Sequence, residues 1–409
     1  MPMPVSTWVE VDLDRFAANL HAIRSEVGDA CEILLVAKAD AYGHGAREMA
    51  EAAEREGVAE LGVATLHEGL QLRLAGCSLP IVAMSPLLTA EIDDAVAYGI
   101  DPTVADDEFA EKLSEAARRA HRPVRFHVEV DTGMGRIGVR EDQAEAFVAR
   151  VAALPGLRLA SVYTHFPDAD AGDLSFAQAQ AARFGDLARR LAARGLRPPR
   201  VHASNSAGTM NLPGARLDLV RVGLVAYGIH PPHDEADLSL APVMSLRSRL
   251  VQVRDLPSGT PISYGRSFVT SRPSRIGVVP VGYGHGYSWL LSNRGRMLVN
   301  GRRVPIVGRV TMDLTMIDLT EVPEVAVGDE VVLFGEQDGA SIGVEEVAEW
   351  SETLAYEVMC TIGKRVARLY RKAGRAIKVT TLVGERSEWT ASADDYLRRR
   401  EFAAASRTT

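Results

Sequence analysis

Cysteine is scarce: Cys31, Cys77 and Cys360 stand far apart, form no C-x-x-C pair and leave an odd number for pairing, which excludes a disulfide scaffold or a thiolate metal site. Positive charge is not in excess. Forty-six Lys and Arg against fifty-four Asp and Glu give a formal charge of -8, and no basic stripe interleaves with aromatics, so nucleic acid is not an expected partner. Long apolar runs are missing too. The longest uncharged stretch, residues 276–293, is broken by Pro280, several glycines and His285, so it cannot supply the ~20 apolar residues of a spanning helix, and no membrane segment is expected. The opening MPMPVSTWVEVDLD lacks the basic and apolar regions of a secretory signal, which together with the cysteine usage points to the cytoplasm. Solenoid-length repeats and low-complexity segments are absent. What is present is a chain of 409 residues, 46% apolar and 24% charged, enough for two or three domains with a sizeable core. Disorder is excluded, and a small-molecule site is the expected functional centre.

Up to about residue 235, short apolar runs alternate with amphipathic stretches. Leu13, Phe16, Leu20, Ile23 and Val27 follow helical spacing, and helical patterns recur at 46–56 and 177–194. Apolar runs begin near Ile33, Glu60, Pro80, Asp101, Val124, Leu157, Arg200 and Asp218. Eight strands alternating with helices predict an α/β fold with an N-terminal (β/α)8 TIM-type barrel over residues 10–238, whose catalytic groups gather at the C-terminal strand ends. A doubly wound sheet is the alternative. After Pro231-Pro232 the runs 246–253, 276–281, 297–306, 314–319 and 330–334 read as strands, with Asn300-Gly301 as a hairpin signal. A mainly β domain over 239–376 is therefore expected, with residues 1–9 as candidates to join it. Residues 377–409, with Arg398, Arg399 and Arg400 in a row, read as a polar tail or surface helix.

Chemistry concentrates at the predicted strand ends. In Ala37-Lys38-Ala39-Asp40-Ala41-Tyr42-Gly43-His44-Gly45 a lysine closes an apolar strand before a Gly/His-rich loop. At a barrel mouth, desolvation would disfavour its charged form and prepare a base or Schiff-base nucleophile. Taken alone, Lys38 reads equally well as a lysine snorkelling from a strand end. Arg136, His165, Asn205-Ser206 and Arg221 fall at other strand ends, and Ser206 with Gly223 suits a phosphate at the last strands of such a barrel. Each has an ordinary structural reading alone; their joint placement favours a site.

The motifs AKADAYGHG (37–45), VDTGMGRIG (130–138), THF (164–166), ASNSA (203–207), VRVGL (220–224), SYG (263–265), PVGY (280–283), GRVTMD (308–313) and YEVMCTIGKRV (356–366) resemble those of the bacterial alanine racemases, fold-type III pyridoxal-phosphate enzymes, over roughly residues 5 to 375. The resemblance implies an isomerase that racemises alanine and supplies D-alanine as a peptidoglycan precursor. By it, Lys38 carries pyridoxal 5'-phosphate. Tyr42, Ser206 and the backbone of Gly223 and Leu224 hold the phosphate beside His165 and Asn205, Tyr356 closes over it, and Arg221 faces the ring nitrogen. Guanidinium only donates hydrogen bonds, so the ring would stay unprotonated and be a weaker electron sink, restraining side reactions. Racemisation needs acid/base groups on both faces of Cα. Lys38 is one; the resemblance implies Tyr264 of a partner subunit as the other, helped by His165 and Arg221, with Met312 and Arg136 at the substrate carboxylate and Tyr283 crowding out long side chains. A homodimer with shared sites follows. No metal site is expected.

Three positions depart from the family pattern: Glu129 stands where a carbamylated lysine is common, and His285 and Trp289 replace an acid and an arginine beside the access corridor. Glu129 is expected to present a permanent carboxylate to Arg136, with Arg125 as the alternative partner. A related fold-III enzyme acting on another small amino acid, or a noncatalytic pyridoxal-phosphate carrier, are the competing readings; a carrier would have no need of Tyr264.

Overall fold

The computed structural model describes residues 5–386 apart from 235, 237 and 323. Eight parallel strands, one to eight in chain order, run Glu32–Val36, Glu60–Val63, Ile81–Pro86, Ile100–Thr103, Val124–Asp131, Leu157–Tyr163, Arg200–His202 and Leu219–Val222. Strand eight pairs with strand one, and the Arg221 N–H donates to Ser204 O at 3.0 Å and the Asp218 N–H to Val201 O at 3.2 Å to close the ring against strand seven. The fold is the barrel expected from the alternation, not the doubly wound sheet. Runs such as Ile33 to Val36 are apolar throughout because parallel strands in a barrel are covered on both faces. Helix Leu13–Val27 is capped by the Asp12 carboxylate and buries Leu13, Phe16, Leu20 and Ile23, whereas Val27 is half-buried. At the N-terminal end of the barrel, fully buried Glu60 accepts hydrogen bonds from Arg125 and Arg200, closing that end with charge.

The second unit is mainly β. Its large sheet runs Arg302–Pro305, Arg296–Val299, Glu330–Gln337, Met244–Arg249, Thr7–Asp12, Ala367–Lys372, Arg375–Thr381 and Gly384–Arg386 in spatial order. The N-terminal strand lies in its middle. Asn300 and Gly301 have φ of 48° and 70°, the left-handed pair of a two-residue hairpin turn, as their sequence predicts. Two expectations change. The apolar run 246–253 is two strands in different sheets, because Leu250 and Val251 turn the chain to bond with Asp329 and Val278. The beginning of the supposed tail is also strand: Arg375–Thr381 pairs with Ala367–Lys372, its polar side chains lying on a half-exposed face. Residues 387–409, including Arg398 to Arg400, lie outside the described residues.

Candidate active site

Strand one ends at Val36, and Lys38 follows after Ala37. Four residues then take left-handed backbone, with φ of 51° at Ala39, 55° at Asp40, 53° at Ala41 and 52° at Tyr42. Each such residue costs about 1–2 kcal/mol, so the surroundings must impose the turn. They do so through hydrogen bonds. The Ala39 N–H donates to Glu68 Oε1 at 2.7 Å, the Ala46 N–H to Asp40 Oδ1 at 2.8 Å, Arg368 Nε to Gly43 O at 3.1 Å and the Tyr370 hydroxyl to His44 O at 3.0 Å. Gly43 has φ of 79°, and a Cβ there would lie 2.3 Å from Met359 O, which explains the glycine after Tyr42. The motif thus encodes a strained turn that aims Lys38 into the barrel mouth. Burial lowers the Lys38 ammonium pKa, and the Arg136 charge lowers it further.

A cavity of about 280 Å³ opens there, lined by Lys38, Tyr42, His165, Asn205, Ser206, Arg221, Gly223, Leu224 and Tyr356 among others. A larger cleft of about 450 Å³ at the domain boundary contains none of the expected site residues. Its charges are already paired, Arg15 with Glu336 and Arg247 and Arg371 with Glu10. At one end of the smaller cavity, Ser206 Oγ accepts the Gly223 N–H at 3.0 Å, joining the helix Ser206–Asn211 to the end of strand eight. A Cβ on Gly223 would approach the Tyr42 hydroxyl to 2.8 Å. Tyr42 itself packs between Tyr227 and Tyr356, at ring distances of 5.2 and 5.6 Å. Asn205 shapes this end indirectly: its side-chain Oδ1 accepts the Gly208 N–H at 2.9 Å and its Nδ2 donates to Phe166 O at 3.1 Å.

Arg221 is fully buried on strand eight. Its Nη1 donates to His202 Nδ1 at 2.9 Å, and its Nη2 to Thr164 O at 2.7 Å and Ala203 O at 2.9 Å, with His165 Nδ1 at 3.3 Å. Its Nε is buried without a partner among the described residues. Burial, followed by the Arg221, Arg136 and Lys38 charges, holds His165 down to about 3, so the imidazole is neutral. A phosphorylated pyridine fits these groups: the orphan Nε offers a donor to a ring nitrogen, the amine is placed for an aldehyde, and the glycine and hydroxyls leave room for a phosphate.

Arg136, in the loop after strand five, has no hydrogen bond or ion pair among the described residues. The expected pairing with Glu129 is therefore not observed. Glu129, on strand five, is 3% exposed and lies near Tyr163. Burial pushes its carboxyl up to about 7 despite the Arg221 and Arg136 charges, so it is not a permanent carboxylate. Arg125 is not its partner either, because that side chain binds Glu60 and Asp101.

Tyr264, Tyr283 and Met312 lie outside the cavity lining, on the β unit. They are 72%, 47% and 52% exposed, so a single chain does not bring them to Lys38. Gly284 N–H donates to Met312 O at 2.9 Å and Tyr283 N–H to Thr311 O at 3.1 Å, which sets two of the three on adjoining loops. His285 Nδ1 accepts the Gly282 N–H at 3.3 Å and stiffens the corridor loop, while the Arg309 guanidinium lies over the Trp289 ring at 5.5 Å. Sequence reading missed Glu68, Asp40, Tyr163 and His202. Glu68 had a signal, since Thr65-x-x-Glu68 is a capping box; His202 had none.

Two family models match the chain: the alanine racemase N-terminal domain over residues 11–231 and the alanine racemase C-terminal domain over 243–370. The alanine racemase 2 of Caldanaerobacter subterraneus subsp. tengcongensis is 41% identical over 91% of this chain and 97% of its own length. Among solved structures, the alanine racemase of Clostridium difficile 630 superposes with a TM-score of 0.88 at 33% identity, covering 93% of this chain and 99% of that one. The Bacillus anthracis alanine racemase with bound L-Ala-P gives 0.87 at 35% identity, covering 94% and 99%.

Proposed function

The chain belongs to the alanine racemase family, and from that premise we propose that Lys38 and Tyr264 are its two proton-transfer groups, Tyr264 being supplied by a second copy of the chain. The protein is a pyridoxal-phosphate-dependent enzyme that interconverts L- and D-alanine. Bound pyridoxal phosphate supplies the electron sink that acidifies the Cα–H of the attached amino acid. The chain's own residues do the rest. Lys38 holds the cofactor, and its lowered pKa favours the neutral amine that can take a proton at Nζ. Arg221, whose buried Nε is without a partner among the described residues, would be the donor to the ring nitrogen, and a guanidinium that gives up no proton would leave that nitrogen unprotonated. Tyr42, Ser206, Gly223 and Leu224 form the phosphate end, and Tyr356, half-exposed over Tyr42, is the cover. Arg136, unpaired among the described residues, is the group for the substrate carboxylate.

The observation that carries the two-base reading is the separation of the half-sites. One set lines the barrel cavity, while Tyr264, Tyr283 and Met312 are exposed on the β unit. A homodimer that docks these exposed residues on the partner's barrel would complete two sites. In the experiment, inactive Lys38→Ala and inactive Tyr264→Phe proteins are mixed and allowed to exchange subunits. The heterodimer has one site with both bases and one with neither, so an equal mixture should recover about a quarter of wild-type activity. No recovery after demonstrated exchange refutes the shared site.

The boundaries of the family models support reading 10–238 as the cofactor unit and 239 onward as the β unit, which would continue through strand Gly384–Arg386. Among the described residues no helix is long and apolar enough to cross a membrane, and Cys31, Cys77 and Cys360 are free thiols, which suits a reducing cytoplasm.

A further inference from the structure

Behind Arg221 a file of buried polar side chains crosses the barrel interior, one from each successive strand. His202 of strand seven accepts from Arg221 at Nδ1, and its Nε2 lies 2.9 Å from Ser161 Oγ on strand six. That hydroxyl lies 2.6 Å from His127 Nδ1 on strand five. The other nitrogen of His127, Nε2, faces Asp101 Oδ2 on strand four at 3.9 Å, an electrostatic and not a hydrogen-bonding distance. Ser161, His127 and His202 are 2% exposed or less, so these contacts are shielded from bulk solvent.

Counting protons leaves one arrangement. Arg221 has no acceptor, so His202 Nδ1 must be bare. Burial and the Arg221 charge keep His202 neutral, so its single proton is on Nε2 and points at Ser161. The serine hydrogen then goes to its other partner, His127 Nδ1. The His127 proton is left on Nε2, toward the Asp101 carboxylate, which the neighbouring Arg125 holds at 3.2 Å. Every donor points away from Arg221. Reversing the first link would set two N–H groups against each other at the buried guanidinium; reversing the Ser161–His127 link would strand the serine hydrogen and turn a bare Nε2 toward the Asp101 carboxylate, whereas the stated direction gives that carboxylate an N–H within electrostatic reach, though at 3.9 Å not a hydrogen bond.

We infer that Ser161, His127 and Asp101 are positioning residues for Arg221: through His202 they fix the acceptor that orients the guanidinium and keeps its Nε turned to the cofactor pocket. The inference rests on the assignment of Arg221 to the cofactor ring. The same file also explains why strands four to seven carry polar residues at interior positions that an ordinary barrel fills with Val, Ile or Leu.

The test begins with wild-type holoenzyme labelled with 15N-histidine, its two rings assigned by the signals lost in His127→Asn and His202→Asn. Both rings should carry the proton on Nε2. A proton on Nδ1 of either ring overturns the inference, and this measurement does not depend on alanine turnover. Kinetics supply the second arm. Ser161→Ala and His127→Leu should each lower kcat about tenfold, the rate equivalent of one lost buried hydrogen bond, with the alanine KM within about twofold and a displaced cofactor absorbance band. His127→Asn places Oδ1 where Nδ1 was and should restore kcat and the band. Equal behaviour of the Leu and Asn variants with an unchanged band refutes positioning. If the tautomers are as stated but no amino acid is racemised, the assigned activity fails and the hydrogen-bond file stands. If the alanine variant does not fold, the wild-type tautomers still decide.

Discussion

Gly223→Ala probes the phosphate end of the pocket with a single methyl group. Its Cβ would lie 2.8 Å from the Tyr42 hydroxyl, 3.1 Å from Cε2 and 3.2 Å from Cζ. The ring must retreat by about half an ångström to restore ordinary contact distances near 3.5 Å. It has little freedom to do so, since Tyr42 is 7% exposed and packed between the Tyr227 and Tyr356 rings. Inserting a methyl into such a site costs about 1–3 kcal/mol, and placed on the cofactor complex this is roughly 5- to 150-fold weaker pyridoxal phosphate binding. The assay is cofactor titration of the apoprotein by absorbance, with alanine KM measured at saturating cofactor. Cofactor affinity should fall while alanine KM at saturation changes little. Because the closest contact is the hydroxyl oxygen, Gly223→Ala should cost less in a Tyr42→Phe background than in wild type, and the double-mutant cycle measures that coupling. Unchanged cofactor affinity in Gly223→Ala, or additive effects in the cycle, would show that Gly223 and Tyr42 do not form one wall of the pocket.

Glu129 and Glu68 give two further expectations. The folded protein holds the Glu129 proton up to about pH 7, whereas an unperturbed carboxyl releases it near 4.5, so the folded state binds more protons in this window and stability from this group falls as pH rises through it. Relative to Glu129→Gln, which cannot ionise, wild type should lose about 1–4 kcal/mol between pH 4.5 and 7.5, read from denaturant midpoints of the two proteins; parallel pH profiles would refute the buried, neutral carboxyl. Glu68→Ala removes the acceptor of Ala39, Ala64 and Thr65 N–H, bonds of 2.7, 2.8 and 3.1 Å. Hydrogen bonds to charged acceptors are worth about 1.5–3 kcal/mol each, so amide exchange at residue 39 should accelerate at least tenfold and kcat should fall as the Lys38 turn loosens. Unchanged exchange at that amide would show the turn is held without Glu68.

Periodicity along the chain was enough for the barrel. Eight apolar runs separated by amphipathic helices leave few arrangements that bury both faces of a parallel sheet, and the strand starts near Glu60, Val124 and Leu157 coincide with the observed ones. Lys38, Ser206 and Arg221 were legible because each sits in a contiguous motif at a strand end, and the Asn300-Gly301 turn because two adjacent left-handed residues are a local property. Where the determinant is pairing between distant segments, local pattern failed. Residues 375–381 are polar in sequence yet form a strand because Ala367–Lys372 offers them an edge, and the run 246–253 divides because Asp329 and Val278 capture its middle.

The sequence by itself determined the architecture, the family chemistry and the groups at the barrel mouth, since these depend on spacing along one segment at a time. Only the tertiary structure decided what those groups touch. Glu129 was assigned to Arg136 because it stands where the family commonly has a carbamylated lysine, but the fold buries it near Tyr163, where desolvation raises its carboxyl to about 7. The left-handed turn at Lys38 exists because Glu68, Arg368 and Tyr370, from three other segments, hold it against its intrinsic cost. The file from Arg221 to Asp101 takes one residue from each of five strands, and closure of the barrel alone makes them neighbours. Proton direction is a property of that closed set, because each hydrogen bond is oriented by the one before it and the first is oriented by a side chain that can only donate.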